Sequence, residues 1–135
     1  MASTAQKLQV LEVPGVAHGV TPIPMAVKIG NCIMTSGIEP VDLETGKLGA
    51  TPERQAEMTF AHMKTILAQG GATLDDVAMV TVYLQVPEYY VHFERKWLET
   101  FPDPHNRPAC RIFVTPEPPS LFVQVQMIAV LSLNP

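Results

Sequence analysis

Near the end of the chain, apolar residues alternate with polar ones, a spacing typical of a half-buried strand. Residues 121–131 carry Val123 and Val125 in one phase and Gln124 and Gln126 in the other. Successive side chains of a strand point to opposite faces of a sheet. The pattern therefore predicts a last strand with one core face and one polar face.

Two segments instead repeat their apolar residues every three or four positions, which predicts amphipathic helices. The first is predicted to begin at Thr51-Pro52, an N-cap followed by proline at the first helical position, and to end at Gly70-Gly71. The second is predicted to begin at Pro87 and to stop at Pro102. The two apolar stripes are Ala56, Phe60, Met63 and Leu67, and Tyr90, Phe93, Trp97 and Phe101. We interpret the aromatic stripe as core packing rather than a ligand cage.

Further strands are predicted where β-branched and apolar segments lie between turn residues. They cover residues 7–13, 25–29, 32–36, 77–84 and 109–114. The Gly30-Asn31 pair favours a tight antiparallel hairpin between the second and third strands. The order β-β-β-α-β-α-β-β predicts an α+β fold, a mixed sheet of about six strands with two helices packed on one face. The other sheet face must also be covered, and oligomerisation is the economical way to cover it.

Composition narrows the class of protein. The chain has 135 residues, which fits a single domain over residues 1–135, and 47% of them are apolar. Its net charge of −4 argues against a surface that binds nucleic acid. The N-terminal residues lack the apolar stretch of a signal peptide, and no run approaches a membrane span. We therefore expect a cytoplasmic protein that does not bind a membrane.

One segment carries a recognisable signature. Residues 31–40 read N-C-I-M-T-S-G-I-E-P, which resembles the T-S-G-x-x-P signature of the RidA/YjgF family. The agreement continues in the right order over roughly residues 20–130. It includes residues 42–46, 70–77, 81–84, 107–109 and 125–130.

The resemblance implies a RidA-like (chorismate-mutase-like) fold and a homotrimer with three clefts between subunits. It also implies hydrolysis of reactive imines and enamines, such as 2-aminoacrylate, without a cofactor or a metal. Such chemistry needs a cation that fixes the carboxylate of a small-molecule substrate, and polar groups that place and activate one water.

Several residues depart from the family pattern at the positions that line the cleft. The tyrosine near the cleft entrance falls at Ile23, and the glutamate of the last strand falls at Gln124. The asparagine of the second helix falls at Glu94, whereas Ser36-Gly37 is kept. Gln124 can orient a water but cannot accept its proton. Glu94 is a candidate general base, but selecting an amine, repelling carboxylates or facing solvent are alternatives.

The arginine that grips the carboxylate in the family corresponds to Cys110, and Arg111 follows one residue later. One hypothesis places a one-residue bulge near Ala109, which would point Arg111 into the cleft. The other keeps the ungapped register, with Cys110 at the cleft and Arg111 elsewhere. Arg107, in the polar loop before this strand, is a second candidate anchor for a carboxylate.

The remaining chemistry-bearing residues suggest structural roles. Cys110 as a nucleophile would need a nearby base, so a packed cysteine is the simpler interpretation. His18, His62, His92 and His105 show no metal-ligand spacing. His62 and His92 lie off the apolar stripes of their helices, which predicts solvent exposure.

Two functions follow from the sequence. The first is a RidA-like deaminase or related hydrolase of a small nitrogen-containing metabolite. Its catalytic candidates are Arg111, Glu94 and Gln124, and its substrate-binding candidates are Ser36, Gly37, Ile23, Arg107 and Cys110. The alternative is a non-catalytic trimer that binds a metabolite or a partner. A ribonuclease activity, a label attached to some family members, is disfavoured by the acidic charge.

Overall fold

The computed structural model describes residues 8–16, 21–116 and 118–132. Eight strands and two α-helices are defined within these ranges, besides two short 3-10 helices at Leu74–Asp76 and Pro87–Tyr89. The strands and α-helices are β1 (Leu8–Leu11), β2 (Ala26–Ile29), β3 (Cys32–Thr35), β4 (Val41–Asp42), β5 (Lys47–Leu48), α1 (Pro52–Gln69), β6 (Val77–Leu84), α2 (Tyr90–Thr100), β7 (Ala109–Val114) and β8 (Val123–Val130). Lys7, predicted to open the first strand, lies outside the described residues, as does His18.

Six of the strands form one mixed sheet in the order β1-β2-β3-β8-β6-β7. Every neighbouring pair is antiparallel except β6 and β7, which are parallel and are connected through α2. Parallel neighbours need such a crossover, whereas β2 and β3 turn tightly at Gly30, whose φ is +60°. The predicted α+β architecture is confirmed. The short β4–β5 ribbon was not predicted, because its two-residue strands leave no periodic signal.

Both helices lie on one face of the sheet, and they bury the predicted stripe of α1 and part of that of α2. Thr51 caps α1 by accepting a hydrogen bond from the Arg54 amide at 3.0 Å. The apolar stripe of α1 is buried against the sheet. On α2, Phe93 is buried and its ring lies 5.7 Å from that of Phe60. Tyr90 differs from the prediction, because it begins α2 at the rim of the sheet and is 38% exposed.

The opposite face of the sheet, here called the open face, is divided into apolar and polar rows. Residues paired across neighbouring strands point to the same face. One row is wholly apolar and crosses five strands: Val10, Val27, Met34, Ile128 and Met79. Two further rows carry polar groups: Gln126, Thr81 and Arg111 form one, and Gln124 lies beside the aromatic residues Tyr83 and Phe113 in the other.

The exposure predicted for the two helical histidines is wrong for His62 and holds only in part for His92. His62 is 1% exposed, and its Nε2 lies 2.8 Å from the carbonyl oxygen of Val41. The ring covers the space between α1 and β4, which the sequence pattern could not anticipate. His92 is half-buried, and its Nδ1 is buried without a hydrogen-bond partner.

Candidate functional site

Strand alternation alone places Arg111 on the open face. Pairing between β6 and β7 advances without a shift from Met79 and Ala109 to Leu84 and Val114. The hypothesis of a bulge near Ala109 is therefore wrong within this strand, and the ungapped register of the alternative hypothesis is the one observed. Because neighbouring residues point to opposite faces, Arg111 shares the polar rows, whereas Cys110 lies on the helix-covered face.

Arg111 is an exposed cation beside two stacked aromatic rings. Its Cζ lies 5.4 Å from the centroid of the Phe113 ring, and that ring stacks on Tyr83 at 5.7 Å. Within the described parts of the chain, its guanidinium forms no ion pair with a carboxylate. A guanidinium in this position can bind an anion in bidentate fashion.

Gln124 lies on the same face as Arg111, two strands away. Its side chain contacts Glu39 on one side and Gly37 on the other. Its Nε2 donates a hydrogen bond to Glu39 Oε1 at 3.2 Å. On the other side, a Cβ added at Gly37 would lie 2.8 Å from Gln124 Cδ. Glycine is therefore required for the close approach of this loop to the amide.

The sequence reasoning missed Glu39. It occupies one of the two unspecified positions of the T-S-G-x-x-P signature, so the motif gave no signal for it. The acidic side chain in an otherwise apolar and small-residue loop was the one available hint.

Ser36 and Ile23 lie beside this loop. Ser36 is fixed by two hydrogen bonds: its Oγ donates to the Pro24 carbonyl at 2.9 Å, and its amide donates to the Met25 carbonyl at 2.8 Å. A shallow pocket of about 160 Å³ is lined by Ser36 and neighbouring residues of β2 and β3. Ile23 is 45% exposed and supplies an apolar surface where the family has a tyrosine.

Glu94 and Cys110 form a second cluster, on the helix-covered side of the edge strand β7. The Tyr90 hydroxyl donates to Glu94 Oε2 at 3.0 Å. Burial, followed by the carboxylate of Glu94 and the thiol of Cys110, raises the pKa of Tyr90. Burial raises the pKa of Cys110 as well, so this thiol stays protonated at neutral pH.

The guanidinium of Arg107 is hydrogen-bonded to backbone carbonyls. Its Nε donates to the Phe101 carbonyl at 2.8 Å, and its Nη2 approaches the Pro102 carbonyl at 3.4 Å. Carbonyls at the end of a helix lack intrahelical partners, and a cation satisfies them well. Arg107 therefore stabilises the end of α2.

The predicted site residues thus separate into two groups within one chain. Arg111, Gln124, Gly37 and Ser36 lie on or beside the open face, whereas Glu94 and Cys110 lie behind β7. Among the described residues, no three His, Cys, Asp or Glu side chains are grouped so that they could hold a metal ion. No helix in the described ranges is long and apolar enough to cross a membrane.

Comparison with known proteins identifies similar sequences and similar structures. The model of the family described as Endoribonuclease L-PSP matches residues 19–131. A RutC family protein of Pyrococcus abyssi is 31% identical over 110 residues, which cover 80% of this chain and 85% of that protein. A crystal structure of a putative endoribonuclease from Thermotoga maritima is 30% identical, with a TM-score of 0.80 over 92% of this chain and 98% of that one.

A third relative is the putative reactive intermediate deaminase TdcF of Escherichia coli. It is 24% identical over 131 residues, which cover 92% of this chain and 98% of that protein. The crystal structure of TdcF with bound serine superposes with a TM-score of 0.81 at 21% identity, over 92% of this chain and 99% of that one.

Proposed function

The chain belongs to the RidA/YjgF family, and from this premise we propose that it is a deaminase of reactive imines or enamines, or a related hydrolase of a small nitrogen-containing metabolite. The proposed substrate carries a carboxylate, and the reaction takes place in a cleft between subunits without a cofactor. One observation carries the proposal: Arg111, a cation with no carboxylate partner in the described residues, shares a sheet face with Gln124.

The proposed reaction joins water to an iminium carbon and releases ammonia. An iminium ion and one water give a carbonyl compound and ammonium, so no electron donor or acceptor is needed. Arg111 would bind the substrate carboxylate, and Gln124 would orient the water. Ser36 and Gly37 would form the cleft wall, and Ile23 would contact the apolar part of the substrate.

Assembly into a homotrimer is part of the proposal. The open face presents large apolar side chains to solvent, including Val10 at 49%, Ile29 at 43% and Val130 at 45% exposure. The edge strand β7 likewise exposes Ile112 and Val114. Apolar surface of this kind on a sheet favours association with another subunit.

In such a trimer, the Glu94–Cys110 cluster of one subunit would face the Gln124 loop of the next. This arrangement would reunite the two groups that a single chain keeps apart. Light scattering during size-exclusion chromatography should give a mass of about three chains. An Ile128→Lys variant should shift that mass toward one chain, because it places a charge in the apolar row.

A non-catalytic role as a metabolite-binding trimer is the second candidate. The observation that favours it is Gln124, which has no ionisable group where the family has a glutamate. A ribonuclease role, named in the description of the family model, has less support. Of the cations in the described residues, Arg54, Arg95 and Lys96 are already paired with carboxylates, which leaves little positive surface for a phosphate backbone.

Ammonia release separates the two candidates. A dehydratase or an amino-acid oxidase generates 2-aminoacrylate or larger imino acids, and the protein should accelerate ammonia release above the buffer rate. Arg111→Met should lower kcat/KM roughly 10- to 100-fold through loss of a charged hydrogen bond. Arg95→Met removes an exposed cation paired with Glu53 and should leave kcat/KM unchanged. No acceleration with any imine would reject the deaminase in favour of the binding role.

A further inference from the structure

A hydrolase of this kind needs a group that removes a proton from the attacking water, and Gln124 cannot supply it. An amide side chain donates and accepts hydrogen bonds but does not take up a proton near neutral pH. The nearest ionisable partner that the structure gives to Gln124 is Glu39, whose Oε1 accepts from Gln124 Nε2 at 3.2 Å.

The backbone holds Glu39 in this position. The preceding Ile38 is fully buried and bridges β8, with its amide donating to the Val125 carbonyl at 2.8 Å. The carbonyl of Glu39 itself accepts from the Val41 amide at 2.8 Å. The backbone of Glu39 is therefore held beside β8, one residue from the bridge between Ile38 and Val125. Glu39 itself is half-buried.

We propose that Glu39 is the general base of the reaction and that Gln124 positions its carboxylate. This inference rests on the proposed deaminase function and deepens it. The chain retains the carboxylate that the family carries at the position of Gln124, but holds it on the neighbouring loop.

The proton and electron balance closes without a further reactant. Glu39 takes one proton from water as the water oxygen bonds to the iminium carbon and the C=N electron pair moves to nitrogen. The resulting carbinolamine receives that proton back on nitrogen. The C–N bond then breaks, and ammonia leaves with its electron pair. The hydroxyl proton passes through Glu39 to the ammonia, which gives ammonium and a carbonyl compound.

Glu94 is the competing carboxylate: within one chain it lies apart from Gln124, and it would reach the Gln124 loop only from a neighbouring subunit of the proposed trimer. It lies behind β7 and accepts a hydrogen bond from Tyr90 at 3.0 Å, whereas Gln124 and Arg111 lie on the open face. A base acting on a water held by Gln124 has to reach the same water, and Glu39 is within one hydrogen bond of that amide.

The test compares Glu39→Gln with an exchange variant, Glu39→Gln combined with Gln124→Glu. With an imine on which the wild type is active, Glu39→Gln should lower kcat by about 10²- to 10⁴-fold and change KM little. In the same variant, the decrease of kcat toward low pH (the acid limb of the kcat–pH profile) should disappear, because the carboxylate that is protonated there has been removed. The exchange variant should recover most of the lost kcat and the acid limb, because it restores one carboxylate to the same hydrogen-bonded pair.

Glu99→Gln is the matched control, since it removes an exposed carboxylate paired with Lys96. It should leave kcat, KM and the pH profile unchanged. Thermal melting should show each variant folded. An active wild type with Glu39→Gln at the same rate, or with its acid limb intact, would overturn the assignment of the base and leave the deaminase proposal standing. A wild type inactive on every imine would overturn both.

Discussion

The side-chain amide of Gln124 donates to the carboxylate of Glu39 over 3.2 Å and so joins the β8 strand to the loop that follows β3. Gly37 supports the same pair from the other side, where its missing Cβ leaves room for the Gln124 side chain. A loop and a strand 85 residues apart in sequence thereby form one polar surface.

Adding a methyl group at Gly37 should disrupt this pair without unfolding the protein. An alanine Cβ would lie 2.8 Å from Gln124 Cδ and 2.9 Å from Nε2, so the amide must move and lose Glu39. The backbone of Gly37 does not have a positive φ, so alanine introduces no conformational strain there. We expect kcat/KM for ammonia release to fall about 10-fold or more, with a Tm within a few degrees of wild type.

The matching control for this prediction combines Gly37→Ala with Gln124→Ala. Without the amide, the added methyl group meets no obstacle. The double variant should therefore be as active as Gln124→Ala alone. Full activity of the single Gly37→Ala variant would show that the position of the amide is unimportant.

Gln55 should contribute more to stability than other polar residues of α1. It is fully buried, and its Nε2 donates to the carbonyls of Gly49 at 2.9 Å and Ser120 at 2.7 Å. Its Oε1 accepts from the amides of Phe122 at 2.7 Å and Val123 at 3.1 Å. Gln55→Ala leaves these backbone groups unsatisfied and should lower the free energy of unfolding by about 3 kcal/mol in denaturant titrations.

Gln69→Ala, at the end of the same helix, is the control for Gln55. Its Oε1 accepts a single exposed hydrogen bond from the Glu12 amide. The loss should be below about 1 kcal/mol, in line with exposed polar contacts. Equal losses for the two variants would contradict the role assigned to the buried amide.

Stability should decrease as the pH falls below about 6.5 because of His62. Burial lowers the pKa of this ring from its ordinary value of 6.5, while the hydrogen bond to Val41 opposes the shift. The unfolded chain therefore binds a proton at a higher pH than the folded protein does. The contribution is fully present above pH 6.5 and is lost as the pH falls through the lower pKa of the folded state.

Urea unfolding at pH 7.5 and at pH 5 measures this effect. His62→Gln should lose the part of the pH dependence that belongs to this ring. His105→Gln removes an exposed histidine and should retain the wild-type dependence. A wild type equally stable at both values of pH would refute the prediction.

Cys110 should react slowly with alkylating reagents at neutral pH. Burial raises the pKa of its thiol from the ordinary 9.0, and the thiolate is the reactive form. In a Cys32→Ser background, iodoacetamide labelling at pH 7.5 should be much slower in the folded protein than in denaturant. Mass spectrometry measures both rates, and equal rates would indicate an accessible thiol.

The secondary structure could be predicted from the sequence to a large extent because its signals are local. Phe60 and Met63 repeat at helical spacing, Thr51 caps α1, and Gln124 and Gln126 alternate with apolar residues in β8. Each of these patterns reflects which side of one element faces the core. The family resemblance rested likewise on contiguous blocks, and the match of the family model to residues 19–131 confirms it.

The candidate site is formed by contacts between segments that are distant in the sequence. The sequence could not specify these contacts. The hypothesis of a bulge near Ala109 was wrong, because β7 pairs with β6 without a shift, and this regular pairing turns Arg111 to the open face and Cys110 to the opposite face. Arg107 was predicted as an anchor for a carboxylate, but its guanidinium donates to the carbonyl of Phe101 at the end of α2. His62 was predicted to be exposed, but it is buried because β4, a strand of two residues, covers it and accepts a hydrogen bond through the Val41 carbonyl.

The sequence by itself therefore determined the elements, their order and the family, since those follow from the periodic burial of side chains along one segment. Only the tertiary structure decided which polar groups meet, because a hydrogen bond such as the one from Gln124 to Glu39 requires two segments to approach within about 3 Å. That distance is set by the packing of the whole sheet and loop, and no local pattern of residues encodes it.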